Sequence, residues 1–286
     1  MHRTLSAVWL RLGGEGACAT AADTLAPVTS PQALKRPLHE MPCSPSRIHV
    51  DYELEATLGN DSHEDTLEKW RLVAHLGEGF GLEDFPACEE CTARWDRIEE
   101  RGGFVAEVDE CVHRLQVGVL ELVKVRWGGS QNPFWAMEEE SQNLYEIAQT
   151  IFNQERTGFT EEFEELAEWG GSDVLVLDKA EIVDSWRGFG LGPMLAADAF
   201  RRLAPGCGAV MVHPAPIDSR GMTAAERNRA CTRLRETWAT LGFVPYSDTP
   251  YMIFATCWAD PEEKQYTLRK ASRDLYAAWQ SARSGG

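Results

Sequence analysis

The segment Val174-Leu-Val-Leu-Asp-Lys-Ala-Glu-Ile-Val-Asp-Ser-Trp-Arg-Gly-Phe-Gly-Leu-Gly192 decides the reading of this chain. Val174 to Leu177 form a short apolar run, and alternation continues through Ala180, Ile182 and Val183, as in a buried strand. Glycines at 188, 190 and 192 then break the pattern. Pro193 suits the first turn of a helix, where its missing N–H costs nothing. Leu191, Leu195, Ala199 and Leu203 recur every fourth residue as one apolar face, and Pro205-Gly206 stops the helix. The unit is strand, glycine loop, helix.

A loop of this kind points backbone N–H groups outward at the positive end of a helix dipole, which suits anions and above all phosphates. Gly188, Gly190 and Gly192 lack the Cβ atoms that would hold a ligand off, and Arg187 adds a fixed cation. The same glycines would serve a tight strand-to-helix turn with no ligand. The Lys-Ser/Thr ending of a nucleotide-triphosphate loop is absent. A dinucleotide site wants an acid at the end of the next strand. That strand is Ala209–His213, it runs into Pro214, and no acid closes it.

Arg187-x-x-Gly190-x-Gly192, after a strand and before a helix, resembles the acyl-CoA pyrophosphate motif of the GNAT N-acetyltransferases. Leu241-Gly242-Phe243, ending a helix and starting a strand, resembles a second motif of that family in the right order. The resemblance implies an α+β class: a GNAT-like acyl-CoA fold whose mixed central sheet is flanked by helices. It covers residues 174–256 firmly and residues 47–169 only in outline. It implies acetyl-CoA as acyl donor, with the pyrophosphate on the amides of Gly188, Phe189, Gly190, Leu191 and Gly192 beside Arg187. The pantetheine arm would follow the strand at Ile182 and Val183, in a notch where that strand parts from Ala209–His213. The chemistry is N-acyl transfer to an unidentified small-molecule or peptide amine.

Acyl transfer from a thioester to an amine needs a proton acceptor and a stabilised leaving thiolate. The acids of the cofactor strand are the candidates for the base, Glu181 first and Asp178 second, with a salt bridge to Lys179 as the bland alternative. Strict alternation puts these two on opposite faces. The tyrosine that this family often uses as acid stands four residues before the glycine of Leu-Gly-Phe, and here that position is Trp238. Indole N–H is no proton donor of suitable pKa. Tyr246 is the replacement chosen, with Tyr251 and water also open. His213, at the end of the strand that faces the notch, is a candidate to touch cofactor or substrate, with a purely structural role as the alternative. An acyl-CoA-binding or interaction module without turnover is the competing reading, and a Rossmann-like nucleotide binder a third.

The rest of the sequence bounds these readings. A net charge of −17 in 286 residues argues against nucleic acid or an anionic membrane surface as partner. No apolar run approaches the roughly 20 residues that span a bilayer. Arg11 interrupts a faintly signal-like start, so a cytoplasmic protein is expected. Cys88-x-x-Cys91 and Cys111-x-His113 offer zinc-type ligands. The second spacing is short for one ion and the first pair falls in a helical pattern, so no metal site is read. Residues 1–46, rich in Pro, Ala, Ser and Thr, read as a disordered arm; 47–258 as the acyltransferase domain; 259–286 as a C-terminal helix that packs on the domain or in a homodimer. Within the domain the periodicities predict a half-exposed strand at 47–58 and an amphipathic helix at 65–76. A helix at 86–101 follows, then strands at 104–108 and 112–125. In the last of these Val117, Val119, Glu121, Val123 and Val125 share a face. Helices at 137–152 and 160–169 intervene before the cofactor strand, which departs from the family's common plan. A capped helix at 223–241 and strands at 243–246 and 251–257 complete the domain.

Overall fold

The computed structural model describes residues 35–56, 65–77, 115–167 and 171–284. In chain order the elements are β1 (Ile48–Glu55), β2 (Leu67–Leu76), β3 (Gln116–Val125), α1 (Pro133–Glu140), α2 (Gln142–Ile151), α3 (Glu161–Ala167) and β4 (Asp173–Ile182). Then come α4 (Leu191–Leu203), β5 (Cys207–Val212), α5 (Ala224–Ala239), β6 (Val244–Pro245), β7 (Met252–Ala255) and α6 (Ala259–Ser284). The strands form one seven-stranded sheet in the order β1-β2-β3-β4-β5-β7-β6. Every neighbouring pair is antiparallel except β4 with β5, so the sheet is mixed.

Each face of the sheet carries its own core. On one face Leu72, Leu120, Leu122, Leu175 and Leu177 meet Leu195 and Phe200 of α4, Trp238 of α5 and Leu275 of α6. On the other, Val123, Val125, Val174 and Val176 meet Phe134 of α1, Ile147 and Ile151 of α2, and Phe163 of α3. β3 and β4 are therefore apolar on both sides, as central strands between two helical layers must be. The shared face expected for residues 117–125 does not hold throughout. Val123 and Val125 are in the second core but Val117 is in the first, because Val117 is an extra residue against β2 between the pairs Ala74↔Gly118 and His75↔Gln116.

The helix expected at residues 65–76 is strand β2, paired with β1 through Leu72↔Tyr52 and with β3 through Leu72↔Leu120. Leu72, Ala74 and Leu76 face the first core while Leu67 faces the second. Apolar residues contributed to both faces of one strand fall at mixed spacings that mimic a helical period. The single helix expected at 137–152 is two. Ser141 is extended (φ −162°, ψ 157°) and its hydroxyl caps α2 by accepting the Leu144 N–H at 3.2 Å. Thr160 caps α3 through the Phe163 N–H, and Thr223 with Glu226 makes the reciprocal capping box of α5.

Residues 35–46, read as the end of a loose arm, are packed on the domain. Met41 and Cys43 are buried in the first core, next to which Leu38 also packs. The predicted helix at 86–101, the strand at 104–108 and the group Cys88, Cys91, Cys111 and His113 lie outside the described residues. Among the described residues no cluster of His, Cys, Asp or Glu is arranged to hold a metal ion, and no helix is long and apolar enough to cross a membrane.

Candidate functional site

β4 and β5 run parallel from Asp173↔Cys207 to Leu177↔Val212, and there the pairing ends. β4 continues for five residues, Asp178 to Ile182, bound on one side only, to β3. β5 instead turns away through His213 and Pro214, where the Ala215 N–H donates to the His213 carbonyl at 2.8 Å. The two central strands thus fork, and the open edge of β4 borders a cavity of about 620 Å³. That is the scale of a small-molecule site. Its walls include Ala180, Glu181 and Ile182 of β4, the Arg187–Pro193 loop, Pro216 and Ile217 beyond the fork, and Leu234 and Trp238 of α5.

The glycine loop opens on the same cavity. Gly188 (φ +89°) and Gly190 (φ +74°) hold left-handed conformations that a side chain strains, and Gly190 is the N-cap of α4. No side chain caps this helix, and the N–H groups of Phe189, Gly190, Leu191 and Gly192 find no acceptor among the described residues. A 13-residue helix with uncapped N-terminal donors at a cavity wall is built to meet an anion. Phe189 itself is buried in the first core, so the loop is anchored by one aromatic ring.

Arg187 is folded back on its own turn. Its Nε donates to the Ile182 carbonyl at 2.6 Å and its Nη1 pairs with Asp184 at 2.5 Å. Two other cations border the cavity, Lys35 and Arg233. Lys35 comes from the N-terminal segment, whose Lys35 and Arg36 N–H groups both donate to the Gly188 carbonyl (2.9 and 3.3 Å). Arg36 also donates to the Ser185 carbonyl, 149 residues away in the chain, and lies 4.8 Å over the Phe189 ring. No local pattern in the sequence announces this strap; Arg233 carries no signal beyond its place on an amphipathic helix.

A β-bulge governs the acids of β4. Glu121 pairs with Lys179 and Leu122 with Leu177, so Asp178 is an extra residue with no partner on β3. The bulge shifts the alternation: Leu177 and Ala180, three apart, both face the first core. Asp178 and Glu181 accordingly lie on the same face, the second, and not on opposite faces as strict alternation predicts. There Asn143 of α2 donates to the Asp178 carboxylate at 2.5 Å. Lys179 bridges Glu181 at 3.4 Å and Glu121 at 3.7 Å.

The remaining sequence candidates fall as follows. Ile182, Arg187, Gly188, Gly190, Leu191 and Gly192 border the cavity. Val183 does not; its N–H donates to Val117 and its carbonyl accepts from Trp186, so its backbone is spent. Tyr246 is buried in the second core against Phe163, its hydroxyl 3.5 Å from Thr160, and the structure does not bring it to the cavity. Burial raises its pKa, against the hydrogen bond from Thr160. Tyr251 lies closer to the fork: its ring is 5.1 Å from that of His213 and its hydroxyl donates to Glu146 at 3.5 Å. Burial, with Glu146 adding to it, pushes the Tyr251 phenol up to about 12. Trp238, at the position where the resemblance expects tyrosine, is a buried wall of the cavity.

No family model and no curated protein matches the chain. Among solved structures it is similar to a mutant of the AtaT toxin bound to the C-terminus of the antitoxin AtaR and acetyl-CoA. The likeness has 11% identity, covers 76% of this chain and 97% of that one, and has a TM-score of 0.28, too low to bear on fold or chemistry.

Proposed function

We propose that this protein is an acyl-CoA-dependent N-acyltransferase with acetyl-CoA as donor and a small-molecule or peptide amine as acceptor. The observation that carries the reading is a juxtaposition: uncapped amides at the start of α4 and the unpaired edge of β4 open on one cavity. A diphosphate seats on the first, an extended amide-bearing arm adds to the second in place of a strand, and the thioester end lies toward the fork. Coenzyme A joins these two chemistries in one molecule. Residues 188–192 hold the diphosphate, with Lys35, Arg187 and Arg233 around it. The edge from Asp178 to Ile182 lines the arm. Glu181, which also borders the cavity, and Asp178 have their carboxylates on the second face of the fork, from which the amine approaches.

Transfer needs the amine nitrogen to reach the carbonyl carbon unprotonated, and an acidic approach suits an amine that arrives as a cation. Calorimetric titration with acetyl-CoA and with NAD tests the cofactor; binding of NAD in preference to acetyl-CoA refutes it. Release of free thiol with a panel of amines, with Glu181→Gln as the comparison, tests turnover. A module that binds acyl-CoA without turnover is the second reading. It is favoured by Trp238, whose buried indole offers no titratable proton for the leaving thiolate. Acetyl-CoA binding with no thiol release from any amine decides for it.

A further inference from the structure

The two strands that fork leave one unpaired residue each at the point of divergence. On β4 it is Asp178, the bulged residue. On the other strand it is His213, one position past the last pair, Leu177↔Val212. Both lie on the second face. Asp178 is held there by Asn143 of α2, and the His213 ring is in contact with Tyr251, a member of the second core. The cavity lies on the opposite face, against α4 and α5. A chain that leaves the cavity where the β4–β5 pairing ends runs toward the second face, on which His213 stands one position past the last pair.

Of the two, His213 is the one whose side-chain polar atoms have no hydrogen-bond partner among the described residues, whereas Asp178 accepts from Asn143. The ring is half-buried.

We infer that His213 is the base that takes the acceptor amine's proton, a role that rests on the acyl-CoA reading above. As the amine nitrogen bonds to the thioester carbonyl carbon, its proton passes to the imidazole. Collapse of the tetrahedral adduct breaks the carbon–sulfur bond, and the imidazolium returns the proton to the departing thiolate. Amine and thioester give amide and thiol, with no other reagent consumed. Tyr251, whose ring lies 5.1 Å from the imidazole, sets its orientation.

The charges acting on His213 are Glu146 of α2 and Arg235 of α5, and the neutral Tyr251 phenol ahead of β7 packs against its ring. Burial lowers the histidine's pKa from the ordinary 6.5, Glu146 opposes that and Arg235 adds to it. The free base therefore prevails at neutral pH, the form the role requires.

The test uses bromoacetyl-CoA on the full chain, so the acceptor need not be known. Its bromomethyl carbon sits one bond beyond the acyl carbonyl. An imidazole there displaces bromide, forming a carbon–nitrogen bond, and loses its N–H proton to solvent. Peptide mapping by mass spectrometry is expected to show one adduct, on His213. Excess coenzyme A should suppress it, and its rate should rise with pH through the acid range and level off by pH 7. An adduct on Glu181, Asp178 or a cysteine instead, or none at all, in protein that binds acetyl-CoA by calorimetry overturns the assignment and leaves the cofactor reading standing. Protein that binds no acetyl-CoA overturns both.

Discussion

Placing a carboxylate at residue 192 separates the fold from the site, because the two respond with opposite signs. Gly192 is the second residue of α4 and its backbone is not left-handed; an added Cβ meets only Ile182 Cγ1, at an ordinary 3.6 Å. Gly192→Asp is therefore accommodated. It replaces a glycine within a helix and sets a negative charge at the positive end of the dipole, which together stabilise by about 0.5–1 kcal/mol. For a domain of this size the melting temperature rises by about 1–4 °C. The same carboxylate lies about 5 Å from a phosphate held on the loop amides, a repulsion of about 3 kcal/mol at a surface-like dielectric of about 20. Acetyl-CoA affinity should fall on the order of a hundredfold. Thermal melts and calorimetric titration of wild type, Gly192→Asp and the isosteric, uncharged Gly192→Asn give the answer. Asparagine should lose far less affinity than aspartate. If the aspartate variant melts higher and still binds within threefold of wild type, the loop amides do not hold the diphosphate.

Other outcomes follow from the same structure. Gly242 has φ +96° and an added Cβ would stand 2.5 Å from Pro261 Cα, so Gly242→Ala should cost about 2–4 kcal/mol and lower the melting temperature by several degrees. Burial raises the thiol pKa of Cys43 to about 11 and of Cys207 to about 12, so peptide mapping after brief alkylation at pH 8 should find the exposed Cys257 modified well before either. At Asp198 burial favours the neutral acid, but hydrogen bonds from Arg202, Arg201 and Tyr52 outweigh it and hold the carboxyl below its ordinary 3.8. A lowered folded value gives stability that is present above 3.8 and lost as pH falls through the folded value. Asp198→Asn should therefore melt lower than wild type at pH 7, with the gap narrowing toward pH 3; a gap independent of pH refutes this.

What the sequence made legible was local. The order strand, glycine loop, helix, the stop at Pro205-Gly206, the cap at Thr223 and the Gly242 end of α5 each depend on neighbours a few residues apart. What it hid depends on partners far along the chain or on one missing ladder position. Residues 65–76 follow a helical spacing until β1 and β3 are seen to take both edges of the strand. The strap at Lys35 and Arg36 touches the glycine loop through backbone carbonyls, which leave no trace in composition. Strict alternation puts Asp178 and Glu181 on opposite faces, and a single extra residue against β3 brings them to the same one.

That extra residue also accounts for the form of the site. Without it, the parity of Leu175 and Leu177 would continue and turn Lys179 and Glu181 toward α4, placing charges on the apolar wall of the cavity. With it, Ala180 and Ile182 face the cavity, while Asp178, Lys179 and Glu181 face the approach to the fork. One bulge thus gives the same five-residue edge an apolar side toward the cavity and a charged side away from it. On the cavity side Ala180, Ile182, Leu234 and the buried Trp238 carry no titratable group. The ionisable side chains of the β4 edge, Asp178, Lys179 and Glu181, lie on the other side. There the group without a partner among the described residues is the imidazole at the end of β5. Labelling by bromoacetyl-CoA, expected on that imidazole and not on Glu181, tests whether this position is where a proton is exchanged.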